Sequence, residues 1–189
     1  MNAPNKLTVG RLGLTAVFFV VLGCAQPKPG TIGPLLLNLS LGLYIIAAFT
    51  DLIDGWLARK YGMVTDFGRV ADPFADKILV CGGLIFLLAK DGTPVRDWMV
   101  VVIIAREFIV SGMRSLAESK NIPFGATYWG KFKALSQNFA VGCSILYLAN
   151  GVAALKYVAT GILYVATAMT AVSGLIYLFR AKRILQIDT

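Results

Sequence analysis

Apolar runs of near membrane-spanning length recur from one end of this chain to the other. About 20 such residues in a helix cross the ~30 Å hydrocarbon core of a bilayer, where a helix satisfies all of its own backbone hydrogen bonds. Only 15% of the residues are charged, against roughly a quarter in soluble domains. We predict an all-α polytopic membrane protein, with residues 1–189 as a single domain. The six candidate spans are roughly 7–24, 33–60, 72–90, 96–118, 131–149 and 156–180.

The distribution of Lys and Arg predicts the orientation of these spans. With six spans, both termini lie on the same side of the membrane. That side carries Lys6, Arg11, Arg59, Lys60, Arg69, Lys77, Arg106, Arg114, Lys120, Lys131, Lys133, Arg180, Lys182 and Arg183. The opposite side carries Lys28, Lys90, Arg96 and Lys156. Because positive residues are enriched on the cytosolic side of membrane proteins, we predict that both termini lie in the cytosol. We expect the membrane to be a bacterial inner membrane.

Charge and residue usage exclude several functions. The net charge of +8 suits anionic lipids and phosphorylated substrates in a membrane protein, so no nucleic-acid partner is expected. The chain has no histidine, which removes Ser–His–Asp catalysis, histidine zinc sites and phosphohistidine chemistry. Its three cysteines are far apart in apolar runs, and we interpret them as core residues.

Carboxylates cluster in the stretch DLIDGWLARKYGMVTDFGRVADPFADK between the second and third spans. Asp51 and Asp54 are three residues apart, and Asp72 and Asp76 are four apart, so each pair shares a helix face. Four close negative charges stay ionised only if cations neutralise them. Oxygen ligands favour hard divalent ions, so we predict a Mg²⁺ or Mn²⁺ site near the membrane surface.

Small residues surround these carboxylates and would let a bulky ligand approach the backbone. The full pattern is D-x-x-D-G-x-x-A-R-x8-G-x-x-x-D-x-x-x-D. Its members are Asp51, Asp54, Gly55, Ala58, Arg59, Gly68, Asp72 and Asp76. Any single aspartate could instead pair with a neighbouring Lys or Arg, but the complete spacing favours a metal and substrate site.

This pattern resembles the signature of the CDP-alcohol phosphotransferase family. The resemblance implies six transmembrane helices behind a short interfacial N-terminal segment, and transfer of a phosphoryl-linked group from a CDP-alcohol to a hydroxyl with release of CMP. It implies that Asp51, Asp54, Asp72 and Asp76 hold two divalent cations, with Asp76 also the general base. Gly55, Ala58 and Gly68 would border the nucleotide, and Arg59 would help to hold the charge of the site.

The stretches PNKLTVGRL, AREFIVSGMR and GKFKALSQ resemble the branch of that family that makes phosphatidylglycerophosphate from CDP-diacylglycerol and sn-glycerol 3-phosphate. Ala134 departs from that branch, where Thr is frequent. The basic residues available for the acceptor phosphate are Arg106, Arg114, Lys131 and Lys133. Glu107 is either functional or part of an interhelical salt bridge, and the two lysines could instead be cytosolic anchors.

Other predictions leave alternatives open. Asn5, Thr8 and Arg11 could help to bind CDP-diacylglycerol or could serve only in helix capping and anchoring. The family resemblance implies a homodimer. Rival functions are the same chemistry with inositol phosphate, serine or phosphatidylglycerol as acceptor, a divalent-cation transporter, and a structural or assembly protein of the membrane.

Overall fold

Six helices make up the part of the chain that the computed structural model describes. They are α1 (Ala3–Cys24), α2 (Gly33–Tyr61), α3 (Asp66–Leu88), α4 (Asp97–Ser119), α5 (Tyr128–Asn150) and α6 (Ala153–Leu185). The structure describes the backbone of residues 3–61, 66–120 and 128–185, and the side chains of residues 8–50, 74–120, 130 and 132–179. The predicted all-α class is confirmed.

Helix ends differ from the predicted spans mainly where polar sequence adjoins an apolar run. α3 begins at Asp66, six residues before the predicted start, and α6 continues to Leu185. α1 begins at Ala3, so residues of the predicted interfacial N-terminal segment belong to the same helix as the first predicted span. Hydropathy detects the apolar part of a helix, whereas helical hydrogen bonding continues into the polar residues beyond it.

α3 is the central element of the packing, since it contacts α1, α2, α4 and α5. The most extensive contacts join α5 to α6 and α1 to α2, and α6 also packs against α4. A continuous apolar core includes Phe18, Leu37, Leu84, Met99 and Ile145, each fully or almost fully buried. Asp76 and Lys77 of α3 lie where α3 meets α4 and α5, which brings charged residues of three helices together.

Glycines allow α1 and α3 to pack closely. A Cβ atom added to Gly82 would lie 2.2 Å from Phe19, and one added to Gly23 would lie 3.2 Å from Phe86. The Phe19 and Phe86 rings stack with their centroids 5.2 Å apart. Each ring thus lies over a glycine of the facing helix, and neither ring can move without disturbing the other.

Lys90 joins the end of α3 to the end of α1. Its ammonium is buried and donates hydrogen bonds to the carbonyl oxygens of Gly23, at 3.0 Å, and Ala25, at 2.6 Å. A positive charge at the carboxyl end of a helix satisfies its last carbonyls and opposes the helix dipole. The sequence count placed Lys90 on the non-cytosolic side, and its hydrogen bonds link the end of α3 to the end of α1.

The outer surface of the bundle is apolar. Large exposed hydrophobic side chains occur on every helix, among them Val20, Phe49, Ile85, Phe108, Phe139 and Phe179. Two helical segments of the described chain, Gly33–Thr50 and Ala153–Phe179, are long and apolar enough to cross a membrane. Contiguous exposed apolar surface of this kind is unusual in soluble monomers and indicates association with a membrane.

We predict that Gly82→Ala destabilises the protein, because the added methyl group overlaps the packed Phe19 ring. Overpacking of this kind typically costs about 1–3 kcal/mol. Thermal unfolding of the purified protein in detergent, followed by circular dichroism, measures the effect. Gly13→Ala is the matched control, since nothing lies within 4 Å of its added Cβ, and alanine should raise helix stability there. Equal melting temperatures for the two variants would contradict the proposed packing.

Candidate active site

A small cavity lies where α3, α4 and α5 meet, and its lining is rich in charge. Its polar lining residues are Asp76 and Lys77 of α3, Glu107 of α4, and Lys133, Gln137 and Asn138 of α5. Ionisable groups inside an apolar bundle are expensive to bury and usually mark a functional site. The cavity is therefore the candidate active site.

Asp76 is the acidic residue of the predicted signature whose side chain the structure describes. Its carboxylate is half-buried, and no hydrogen bond or ion pair to it is found among the described residues. Lys133, Glu107, Arg11 and Lys77 are the charged groups close enough to act on it electrostatically. A carboxylate that lines a cavity without a protein hydrogen-bond donor can accept a proton or bind a cation.

Glu107 is the centre of a buried ion network. It is 7% exposed, and its Oε1 oxygen accepts a hydrogen bond from the ammonium of Lys133 on α5. The same oxygen lies 3.4 Å from Nη1 of Arg106. The predicted alternative of an interhelical salt bridge is therefore found for Glu107. Two cations and one carboxylate give this triad a net positive charge beside the cavity.

Arg106 is held mainly by α6 and lies close to the cavity residues. Its Nη2 donates a 2.7 Å hydrogen bond to the hydroxyl of Ser173, and its guanidinium lies 5.5 Å from the centre of the Tyr177 ring. The residue is 9% exposed, and its Nε has no hydrogen-bond partner among the described residues. A cation so deeply buried must rely on such partners for its position.

Further hydrogen bonds tie the cavity walls together. The Lys77 ammonium donates to the Ser111 hydroxyl of α4, and Ser111 in turn donates to the Glu107 carbonyl at 2.6 Å. Gln137 Nε2 donates to the Thr170 hydroxyl of α6 at 2.9 Å. These bonds join α3 to α4 and α5 to α6, so all four helices contribute to the geometry of the site.

The remaining predicted residues with described side chains lie in different environments. Thr8 and Arg11 are buried on α1, and Arg11 is near enough to act on the charge of Asp76. Arg114 is exposed near the end of α4, away from the buried triad. The structure thus brings Arg11, Asp76, Arg106 and Lys133 to one region, whereas Arg114 lies at the surface.

Other predicted residues lie outside the described side chains, although their backbones belong to helices. Asn5 is on α1, Asp51, Asp54, Gly55, Ala58 and Arg59 are on α2, Gly68 and Asp72 are on α3, and Lys131 is on α5. Among the described side chains no three potential ligands form a metal site. The metal prediction therefore depends on residues beyond that part of the chain.

The described part of the site contributes one carboxylate of the kind that binds a hard divalent cation. Asp76 offers oxygen atoms that no described donor occupies, and it lies on a helix whose preceding residues carry Asp72. Carboxylate oxygens are the ligands that Mg²⁺ and Mn²⁺ prefer. The Asp76 carboxylate thus has the ligand type that fits such an ion, and the other predicted ligands lie outside the described side chains.

Sequence reasoning missed the contribution of α6. Thr170, Ser173 and Tyr177 are all buried, at spacings of three and four residues. Lys133 and Gln137 form a similar polar face on α5. Polar residues with helical spacing inside an apolar span face the interior of a bundle, and that pattern could have identified Gln137 and Ser173 from the sequence.

Comparison with known proteins agrees with the geometry. A family model described as CDP-alcohol phosphatidyltransferase matches residues 1–173. A Bacillus subtilis protein is 38% identical over 152 residues, covering 77% of each chain, and a Rickettsia felis protein is 33% identical over 183 residues, covering 96% of each. A Haemophilus influenzae protein is 33% identical over 183 residues, covering 96% of this chain and 94% of its own. All three are named CDP-diacylglycerol–glycerol-3-phosphate 3-phosphatidyltransferase.

The buried pair of Glu107 and Lys133 predicts a non-additive pair of substitutions. Lys133→Met or Glu107→Gln alone leaves a buried charge with one partner fewer, and removing one member of a buried pair typically costs about 3–5 kcal/mol. The double variant should be less destabilised than the sum of the two single variants, measured by thermal unfolding in detergent. Lys156→Met is the control, because Lys156 is exposed. Strict additivity would show that the pair is not coupled.

Proposed function

The chain belongs to the CDP-alcohol phosphatidyltransferase family, and we propose that it transfers a phosphatidyl group from CDP-diacylglycerol to sn-glycerol 3-phosphate. The products are phosphatidylglycerophosphate and CMP. Relatives that match along almost the whole chain carry the name of this enzyme. The structural observation that carries the proposal is the Asp76 carboxylate, which faces a cavity beside the buried cations Lys133 and Arg106.

Asp76 is the proposed general base. The acceptor hydroxyl oxygen forms a bond to the phosphatidyl phosphorus, and the bond from that phosphorus to the CMP oxygen breaks. The hydroxyl proton passes to a carboxylate oxygen of Asp76, which no described donor occupies. The chain has no histidine that could take this role. A general base must lie within hydrogen-bond reach of the hydroxyl whose proton it takes, and the cavity beside Asp76 would place the acceptor there.

The donor site is proposed on α1, α2 and the first half of α3. Asp51, Asp54, Asp72 and Asp76 would hold two Mg²⁺ or Mn²⁺ ions, which when bound supply neutralising charge for the pyrophosphate. Gly55, Ala58 and Gly68 would leave room for the nucleotide, with Arg59 balancing charge. Asn5, Thr8 and Arg11 would contact the donor from α1, and Arg11 is the one of these that is near Asp76.

The acceptor phosphate is proposed to bind the cations on α4 and α5. Lys133 and Arg106 share the single carboxylate of Glu107, so the triad keeps one positive charge that an anionic acceptor can use. Lys131 on α5 and the exposed Arg114 on α4 are the proposed outer contacts. A phosphate between these residues would hold the glycerol hydroxyl towards Asp76.

The arrangement in the membrane follows from the same proposal. We propose that all six helices span an inner membrane, with both termini and the active site on the cytosolic side, and that the protein is a homodimer. Fourteen of the Lys and Arg residues fall on that side by the sequence count. The diacylglycerol chains of the donor would then stay in the bilayer while its headgroup meets a water-soluble acceptor.

The acceptor preference can be measured directly. Purified protein with CDP-diacylglycerol and Mg²⁺ or Mn²⁺ should release CMP with sn-glycerol 3-phosphate and not with inositol phosphate, serine or phosphatidylglycerol. The net positive triad favours a phosphorylated acceptor over serine, and the names of the relatives favour glycerol 3-phosphate over inositol phosphate. Release of CMP with inositol phosphate but not glycerol 3-phosphate would assign the protein to another branch of the family.

Asp76→Asn should lower turnover by about 10²–10⁴-fold, the usual contribution of a general base. The melting temperature should change little, because no described residue depends on this carboxylate for a hydrogen bond. Asp91→Asn is the control, since Asp91 is an exposed residue of the turn after α3. Turnover of the Asp76 variant at the level of the control would remove Asp76 from the mechanism.

A further inference from the structure

Three residues of α6 surround Arg106 of α4. Ser173 accepts a 2.7 Å hydrogen bond from Nη2, and the ring of Tyr177 lies 5.5 Å below the guanidinium carbon. Between them, a Cβ atom added to Gly174 would lie 3.0 Å from Cγ of Arg106. The arginine stem therefore packs on the bare backbone of α6, while its head is held by a hydroxyl and an aromatic ring.

This arrangement explains how two residues adjacent in sequence can interact. Side chains at positions i and i+1 of a helix point about 100° apart and do not normally face each other. Arg106 nevertheless lies 3.4 Å from Glu107, a longer contact than its bond to Ser173. The shorter of the two hydrogen bonds is the one that Ser173 of α6 accepts, so α6 helps to fix where the guanidinium lies.

The position of Arg106 matters for Lys133 as well. Glu107 Oε1 accepts from Lys133 and lies near Arg106, so one oxygen atom links both cations. If Arg106 moved away, Glu107 would pair with Lys133 alone, and the net positive charge beside the cavity would be lost. The Arg106 Nε, which has no partner among the described residues, also remains available as a donor.

We propose that Ser173 and Gly174 are positioning residues that hold Arg106, and through Glu107 also Lys133, in place to bind the phosphate of the acceptor. This inference rests on the proposed function, and it extends the acceptor site to a helix that carries none of the signature residues. Ser173 supplies the hydrogen-bond acceptor, and Gly174 supplies the space. Neither residue contacts the reacting atoms.

Steady-state kinetics of Ser173→Ala and Gly174→Ala test the inference. Each variant should raise KM for sn-glycerol 3-phosphate on the order of tenfold, as expected for the loss of one hydrogen bond to a charged group. KM for CDP-diacylglycerol and kcat should stay within about twofold, since the donor site and Asp76 are not altered. Ser173→Ala removes the hydrogen-bond acceptor of the guanidinium, whereas Gly174→Ala fills the space against which the stem of Arg106 packs.

Two control substitutions on the same helix separate positioning from stability. Thr167→Ala removes a buried hydroxyl that bonds to the carbonyl of Leu163 at 2.7 Å, and Gly161→Ala adds a methyl group with nothing within 4 Å. Neither should change KM for glycerol 3-phosphate. If the Ser173 and Gly174 variants have lower melting temperatures but an unchanged KM for the acceptor, or equal increases in both KM values, the inference is wrong.

Binding of inorganic phosphate distinguishes failure of this inference from failure of the proposed function. Phosphate should raise the melting temperature of the wild-type protein, and this increase should be reduced in Ser173→Ala and retained in Thr167→Ala. If no acceptor releases CMP but this pattern holds, the proposed function fails and the positioning role stands. If phosphate stabilises neither the wild type nor the variants, or stabilises all equally, the positioning role is overturned.

Discussion

The buried ion network of Glu107, Lys133 and Arg106 is the interaction on which the site depends. Charges inside an apolar bundle carry a large desolvation penalty, so each must have partners that hold it in one geometry. Here the partners come from different helices: Glu107 and Arg106 from α4, Lys133 from α5 and Ser173 from α6. The Lys133–Glu107 and Arg106–Ser173 contacts each join two helices, so the partners of the buried charges also link α4 to α5 and α4 to α6. The cavity beside Asp76 is a consequence of that arrangement.

The apolar half of the bundle supports this polar half without taking part in its chemistry. Phe19 and Phe86 lie over glycines of the facing helix and hold α1 against α3, and Lys90 joins the two helix ends. α3 carries both the close glycine contacts and Asp76, so the packing of its apolar end limits where its carboxylate can lie. Apolar side chains cover the outside of every helix. The fold therefore presents hydrocarbon to its surroundings and encloses charge, the reverse of a soluble protein.

The division of the site between helices suits two substrates of different character. A lipid donor needs access from the bilayer and neutralisation of a pyrophosphate, and the signature carboxylates on α2 and α3 have the residue types for that task. A small anionic acceptor needs buried cations, which α4 and α5 provide. Asp76 lies in a cavity lined by residues of α3, α4 and α5, two of which are the charged residues Glu107 and Lys133. Membership of the CDP-alcohol phosphatidyltransferase family carries the proposed reaction, and the cavity beside Asp76 offers a place for its acceptor.

The amino-acid sequence by itself determined the helices, because long apolar runs can satisfy their backbone only as helices, and it indicated the family through the fixed spacing of aspartates and small residues. It also identified Asp76, Arg106 and Lys133 as site candidates, because charged residues within apolar segments are usually functional. The tertiary structure decided which charges meet. Lys133 and Glu107 are 26 residues apart, and Arg106 and Ser173 are 67 apart. Local periodicity specifies the face on which a residue lies but not which helix covers that face. The partners of Glu107, the exposure of Arg114 and the contact between Ser173 and Arg106 could therefore be known only from the packed bundle.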